Sequence, residues 1–92
     1  MSESLQELID LCQDYTLLYV EDDEQTQESM GAILQRLFKK VYLASNGEEG
    51  LSLFQDHKPD MVITDIQMPK LNGLEMAKAI KELSEKTPII IT

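Results

Sequence analysis

Thr16-Leu17-Leu18-Tyr19-Val20-Glu21-Asp22-Asp23 is the stretch on which the fold turns: an apolar, β-forming run passes directly into three consecutive acids. A strand with one wet face alternates apolar and polar residues, whereas an unbroken apolar run is a strand covered on both faces, as strands of parallel sheets are. Met61-Val62-Ile63-Thr64 ends on Asp65 in the same manner. If these runs are neighbouring parallel strands, their acids meet at one edge of the sheet. In open sheets ligands bind outside the carboxyl ends of the strands, at the point where the winding reverses. Three or four carboxylates gathered there make a site for a hard cation and a phosphoryl group.

The rest of the chain supplies the other elements. Ser4 to Gln13 reads as an amphipathic helix, with Ser4 and Glu7 at capping-box spacing and Leu5, Leu8, Ile9 and Cys12 at helical intervals. After the acidic triplet, Met30, Ile33, Leu34, Leu37 and Phe38 form the apolar stripe of a second helix, and Lys39 and Lys40 suit its C-terminal dipole. Asp23 reads as a helix-starting acid, not a ligand.

Val41 to Ala44 is the next strand. Asn46 and Glu49 then cap a helix that turns Leu51 and Phe54 inward, and Pro59 ends the connection. Beyond Asp65, Met68-Pro69 turns the chain and Asn72-Gly73 opens a helix expected to bury Leu74, Ala77, Ile80 and Leu83. Pro88-Ile89-Ile90-Ile91 is a fourth strand. This alternation predicts an α/β, doubly wound parallel sheet in the order 2-1-3-4, with residues 1–15 as a helical lead-in and residues 16–92 as the domain proper.

With 92 residues, 42% of them hydrophobic, the chain makes one small domain that buries roughly 60–65% of its unfolded surface. Seventeen acids against eight bases give a net charge of −9, which argues against a nucleic-acid contact and against an anionic membrane. Partners should be cations or basic surfaces. Cys12 is the only cysteine, so neither an internal disulfide nor a cysteine metal site is expected. It lies on an apolar stripe and should be buried. The absence of a long apolar span and the acidic first residues lead us to expect a cytoplasmic location. His57 is read as an exposed loop residue, Tyr19 as a packing residue, and Met61 and Met76 as core.

These residues together resemble the receiver domain of two-component response regulators. The likeness runs from about Thr16 to Thr92 and rests on Leu17 to Asp23, Asn46-Gly47, Pro59 to Pro69 around Asp65, Asn72-Gly73-Leu74-Glu75 and Pro88 to Thr92. It implies the flavodoxin-like strand order, with Asp65 as phosphoacceptor for a phosphohistidine of a sensor histidine kinase or phosphotransfer protein. It further implies Mg²⁺ held by Glu21, Asp22 and Asp65 and by the backbone carbonyl of Gln67. Thr92 is the candidate for the switch hydroxyl at the end of the fourth strand. By that resemblance the chain is a signalling switch with slow self-dephosphorylation and not an enzyme. A receiver continues with a fifth strand that ends in a phosphate-binding lysine and with two more helices, which this chain lacks.

Two alternatives stay open on the sequence. One is a receiver-like interaction or dimerisation module that is never phosphorylated. The other is a Mg²⁺-dependent phosphohydrolase with an aspartate nucleophile, disfavoured because such enzymes commonly place a second acid where this chain has Gln67. The uncovered Ile89-Ile90-Ile91 run leads us to expect self-association, including by strand exchange.

Overall fold

Each apolar run identified above becomes a strand of one sheet. The computed structural model of the chain describes residues 3–66 and 72–92. In chain order the elements are α1 (Glu3–Cys12), β1 (Thr16–Val20), α2 (Glu24–Leu37), β2 (Lys40–Ala44), α3 (Gly47–His57), β3 (Met61–Thr64), α4 (Gly73–Leu83) and β4 (Ile89–Ile91). The four strands form a sheet in the order β2-β1-β3-β4, parallel throughout. This is the expected doubly wound α/β topology.

The unbroken apolar character of β1 has a direct structural cause. Leu18 and Val20 point into one core with Ala44, Phe54, Val62, Met76 and Ile80, under α3 and α4. Leu17 and Tyr19 point into a second core on the other face, with Leu34 and Phe38 of the α2 region and Val41. Because successive strand residues face opposite ways, both sets must be apolar when both faces are covered. Cys12 of α1 packs against the second core, half-buried.

The helices use their apolar residues more sparingly than their periodicity predicts. In α2, Leu34 is buried while Met30 and Ile33 are 40% and 54% exposed. In α4, Met76 and Ile80 are fully buried while Leu74 and Leu83 are 50% and 56% exposed, which corrects the expectation that those two leucines face inward. At about 100° per residue, Leu74 lies on the far side of the helix from Met76. Leu83, at the helix end, lines a cavity of about 670 Å³ with Phe54, Lys58, Asp60 and Lys86.

Asp60 closes the start of the sheet. Its Oδ2 accepts from the amide and hydroxyl of Thr16 at 2.8 and 3.0 Å, and its own amide donates to the Thr16 hydroxyl at 3.0 Å. His57, at the end of α3, stacks on Tyr42 with ring centroids 4.3 Å apart. It is exposed, as expected, but it belongs to the last turn of α3 and not to a loop, and it has a neighbour.

Candidate metal and phosphoryl centre

Strand register builds the site. Val20 is paired with Ala44 on one side and Thr64 on the other, so Glu21 and Asp65 leave the sheet from adjacent strands at the same level. The ladder continues one step further, because the Glu21 amide donates to the Ala44 carbonyl at 3.0 Å and the Asp65 amide to the Val20 carbonyl at 3.3 Å.

Carboxylate oxygens of Glu21, Asp22 and Asp65 thereby lie within 4.8 Å of one another. Two carboxylates about 4 Å apart repel by roughly 1 kcal/mol in water and about 4 kcal/mol at an effective dielectric of 20. The effect is written on Glu21, whose carboxyl is pushed above its ordinary range, first by burial and then by the charges of Asp65, Asp22 and Asp23. The phenol of Tyr19 is raised as well, by burial and then by Glu21 and Asp65. Tyr19 packs as expected, and its hydroxyl end also senses the site.

Asp23 is separated from this group by its own task. It is the N-cap of α2, accepting from the Thr26 amide at 2.9 Å and the Thr26 hydroxyl at 2.6 Å. Those bonds hold its carboxyl below the ordinary range. Three acids adjacent in sequence are thus divided between a helix cap and a candidate metal site.

The backbone at Asp65 is clamped from two sides. The buried Thr64 hydroxyl donates to the Asp65 carbonyl at 2.9 Å. The α4 N-terminus approaches so closely that a Cβ on Gly73 would lie 2.1 Å from that same carbonyl oxygen, and the Gly73 amide donates to the Ile66 carbonyl at 3.0 Å. Asn72 caps α4, accepting from the Glu75 amide at 2.9 Å. Thr92 stands at the adjacent strand end, its amide donating to the Thr64 carbonyl at 2.9 Å. Gln67 and Met68-Pro69 lie outside the described residues.

Asp22 is exposed and Glu21 and Asp65 are half-buried, so the cluster is open to solvent. Hard oxygen donors in a small open group suit a divalent cation that keeps several of its waters, as Mg²⁺ does. The cavity beside Leu83 lacks such a group, and its one carboxylate, Asp60, is committed to Thr16. Among the described residues, no helix is long and apolar enough to cross a membrane.

Thr64 and Gln27 also belong to this region, although the sequence pattern marks neither. Gln27, on the first turn of α2, donates from its side-chain amide to the carbonyls of Glu21 and Ala44 at 3.0 and 2.9 Å.

The chain and its fold are similar to those of known proteins. Residues 17–92 match the family model of the response regulator receiver domain. The autoinducer 1 sensor kinase/phosphatase LuxN of Vibrio campbellii is 36% identical over 75 residues, covering 82% of this chain and 9% of its own. Among solved structures, the N-terminal domain of an uncharacterized Wolinella succinogenes protein superposes with a TM-score of 0.80 at 45% identity, covering 84% of this chain and 62% of that one. The CheX-CheY-BeF3-Mg complex of Borrelia burgdorferi gives a TM-score of 0.77 at 28% identity, with coverage of 84% and 60%. The chain spans only about a third or less of curated relatives it matches, such as 9% of LuxN and 33% of the Streptomyces coelicolor regulator AfsQ1.

Proposed function

Since the chain belongs to the response regulator receiver family, we propose that it accepts a phosphoryl group on Asp65 from a phosphohistidine of a sensor histidine kinase or phosphotransfer protein. The carrying observation is the convergence of Glu21, Asp22 and Asp65 oxygens within 4.8 Å at the carboxyl ends of β1 and β3. Glu21, Asp22, Asp65 and the Gln67 carbonyl would hold Mg²⁺. The Borrelia complex, which contains Mg, supports that choice of ion.

In the transfer, an Asp65 carboxylate oxygen forms a bond to phosphorus while the phosphorus–nitrogen bond of the donor histidine breaks. The electron pair and a proton stay with the departing imidazole. When bound, Mg²⁺ offsets the negative charge of the acids and of the incoming group. Glu21 and Asp22 orient the open face of the site, and the clamped backbone at Asp65 holds the nucleophile in line. The Thr92 hydroxyl, on the neighbouring strand, is the group that would turn towards the new phosphoryl oxygens and relay the change to a partner surface. Slow hydrolysis would reset the switch. A cytoplasmic location and a role in signalling follow from the same proposal.

Borohydride reduction after treatment with acetyl phosphate and Mg²⁺ tests the assignment, since an acyl phosphate on Asp65 is converted to homoserine. Peptide mass spectrometry should find homoserine at position 65. Homoserine at Asp22, or the longer alcohol 2-amino-5-hydroxypentanoate at Glu21, would refute the choice of nucleophile.

Self-association belongs to the same reading. The β4 edge carries Ile90 and Ile91 at 47% and 37% exposure, and an apolar edge strand invites pairing with another copy. Sedimentation should give a concentration-dependent mass, and a monomer at all concentrations would contradict it.

A further inference from the structure

We propose that Gln27 is a positioning residue for this site: its side-chain amide clamps the carbonyls of Glu21 (3.0 Å) and Ala44 (2.9 Å), fixing the backbone from which Glu21 and Asp22 reach the cation. The inference rests on the metal reading given above.

Two carbonyls converging on one amide decide which end of it faces them. The NH₂ carries two protons, whereas the oxygen would meet both carbonyls with lone pairs. The Ser45 hydroxyl, 3.4 Å from the same nitrogen, adds a third acceptor on the β2 side.

The clamp acts where the sheet stops helping. Regular pairing of β1 with β2 ends at Val20 and Ala44, and the one bond beyond it is the Glu21 amide to the Ala44 carbonyl at 3.0 Å. Past that rung the acids lie on a turn. Gln27 closes the turn from the far side, because its own backbone amide donates to the Asp23 carbonyl at 2.9 Å within α2 while its side chain returns to Glu21. The short connection 21–23, with the exposed Asp22 inside it, is therefore tied at one end by the β2 rung and at the other by the first turn of α2.

Mg²⁺ makes such a tie matter, since it demands near-ideal octahedral geometry at about 2.0–2.1 Å. A looser turn lets both carboxylates stray from the positions that geometry needs, and the charge of the cluster is unchanged. Affinity should fall by about tenfold, the lower end of what loss of an outer-shell partner costs.

Calorimetric titration of the chain with Mg²⁺ tests this in Gln27→Met, which keeps length without a donor, and in Gln27→Glu. Electrostatics alone predicts tighter Mg²⁺ binding for Gln27→Glu, whereas the clamp predicts weaker binding because a carboxylate cannot donate to the two carbonyls. Ile80→Val, a core change on the face of the sheet opposite α2, should lower the melting temperature in chelator and leave Mg²⁺ affinity as it was. Weaker binding in both Gln27 variants is the expected result. Parent-like affinity in Gln27→Met, or tighter binding in Gln27→Glu, overturns the inference while leaving the metal site standing. Absence of Mg²⁺ binding by the parent chain overturns the metal reading and this inference together.

Discussion

Glu21 is the residue at which folding and function pull against each other. Strand register forces its carboxylate against Asp65, and partial burial adds a second penalty on its charge. A carboxyl raised in the folded state favours folding while protonated, and that advantage is lost as pH rises through its folded value. Stability of the metal-free chain should therefore fall between the ordinary glutamate value of 4.5 and the elevated one. Glu21→Gln should remove that pH dependence and raise neutral-pH stability by up to about 1 kcal/mol, the scale of partly exposed charge pairs. The same variant should bind Mg²⁺ more weakly. Thermal melts across pH in chelator check the first part, and a variant less stable than the parent at neutral pH would contradict it.

The acids themselves were legible in the sequence because they directly follow apolar runs, and an acid at a strand end has one place to go. Gln27, Thr64 and Asp60 were not legible. Gln27 and Asp60 act through hydrogen bonds whose partners are set by register or by the pitch of a helix, such as Asp60 with Thr16, 44 positions away. Thr64 acts through a bond to the carbonyl of the next residue that a strand-end threonine does not announce. A glutamine on an exposed-looking helix turn carries no sign of the two carbonyls it will meet.

At the scale of elements, the strands followed from composition and the helix faces did so only partly. β1 and β3 have the bounds their apolar runs predict, since a strand covered on both faces leaves no choice of which residues to bury. A helix does leave a choice. The stripes of α2 and α4 are wider than the narrow strip of sheet each helix meets, so Met30, Ile33, Leu74 and Leu83 remain at the surface. Asparagine marks of a helix start hold, since Asn46 caps α3, accepting from the Glu49 amide at 2.8 Å, and Asn72 caps α4. The spacing of Ser4 and Glu7 does not mark a cap, because α1 begins at Glu3 and Ser4 lies inside it.

The start of α4 is also where an element sets the chemistry. Gly73 lets that helix approach the Asp65 carbonyl with no room for a Cβ. Gly73→Ala should therefore cost about 1–3 kcal/mol, as overpacking does, and should slow phosphorylation by displacing the nucleophile's backbone. Denaturant melts and labelling rates would check it, and an alanine variant equal to the parent in both would show that the contact is slack.

The whole molecule gathers acid beyond what its fold requires, with a net charge of −9 and part of it concentrated at one sheet edge. A cation that binds only the folded state stabilises it by mass action, by about 2.7 kcal/mol at a hundredfold excess over its Kd. For a domain of this size each kcal/mol is worth about 4–8 °C, so saturating Mg²⁺ should raise the melting temperature well beyond a matched addition of Na⁺. A midpoint insensitive to Mg²⁺ would contradict the metal site.

The central claim is that Asp65 is the phosphoacceptor, and an intact mass spectrum addresses it most directly. The chain and its Asp65→Asn variant would be treated with acetyl phosphate, each with Mg²⁺ and with chelator. The account predicts a single phosphoryl adduct on the parent chain with Mg²⁺ and none on the variant or in chelator. An adduct that persists in Asp65→Asn, or a parent chain that takes up no phosphoryl group, would contradict it.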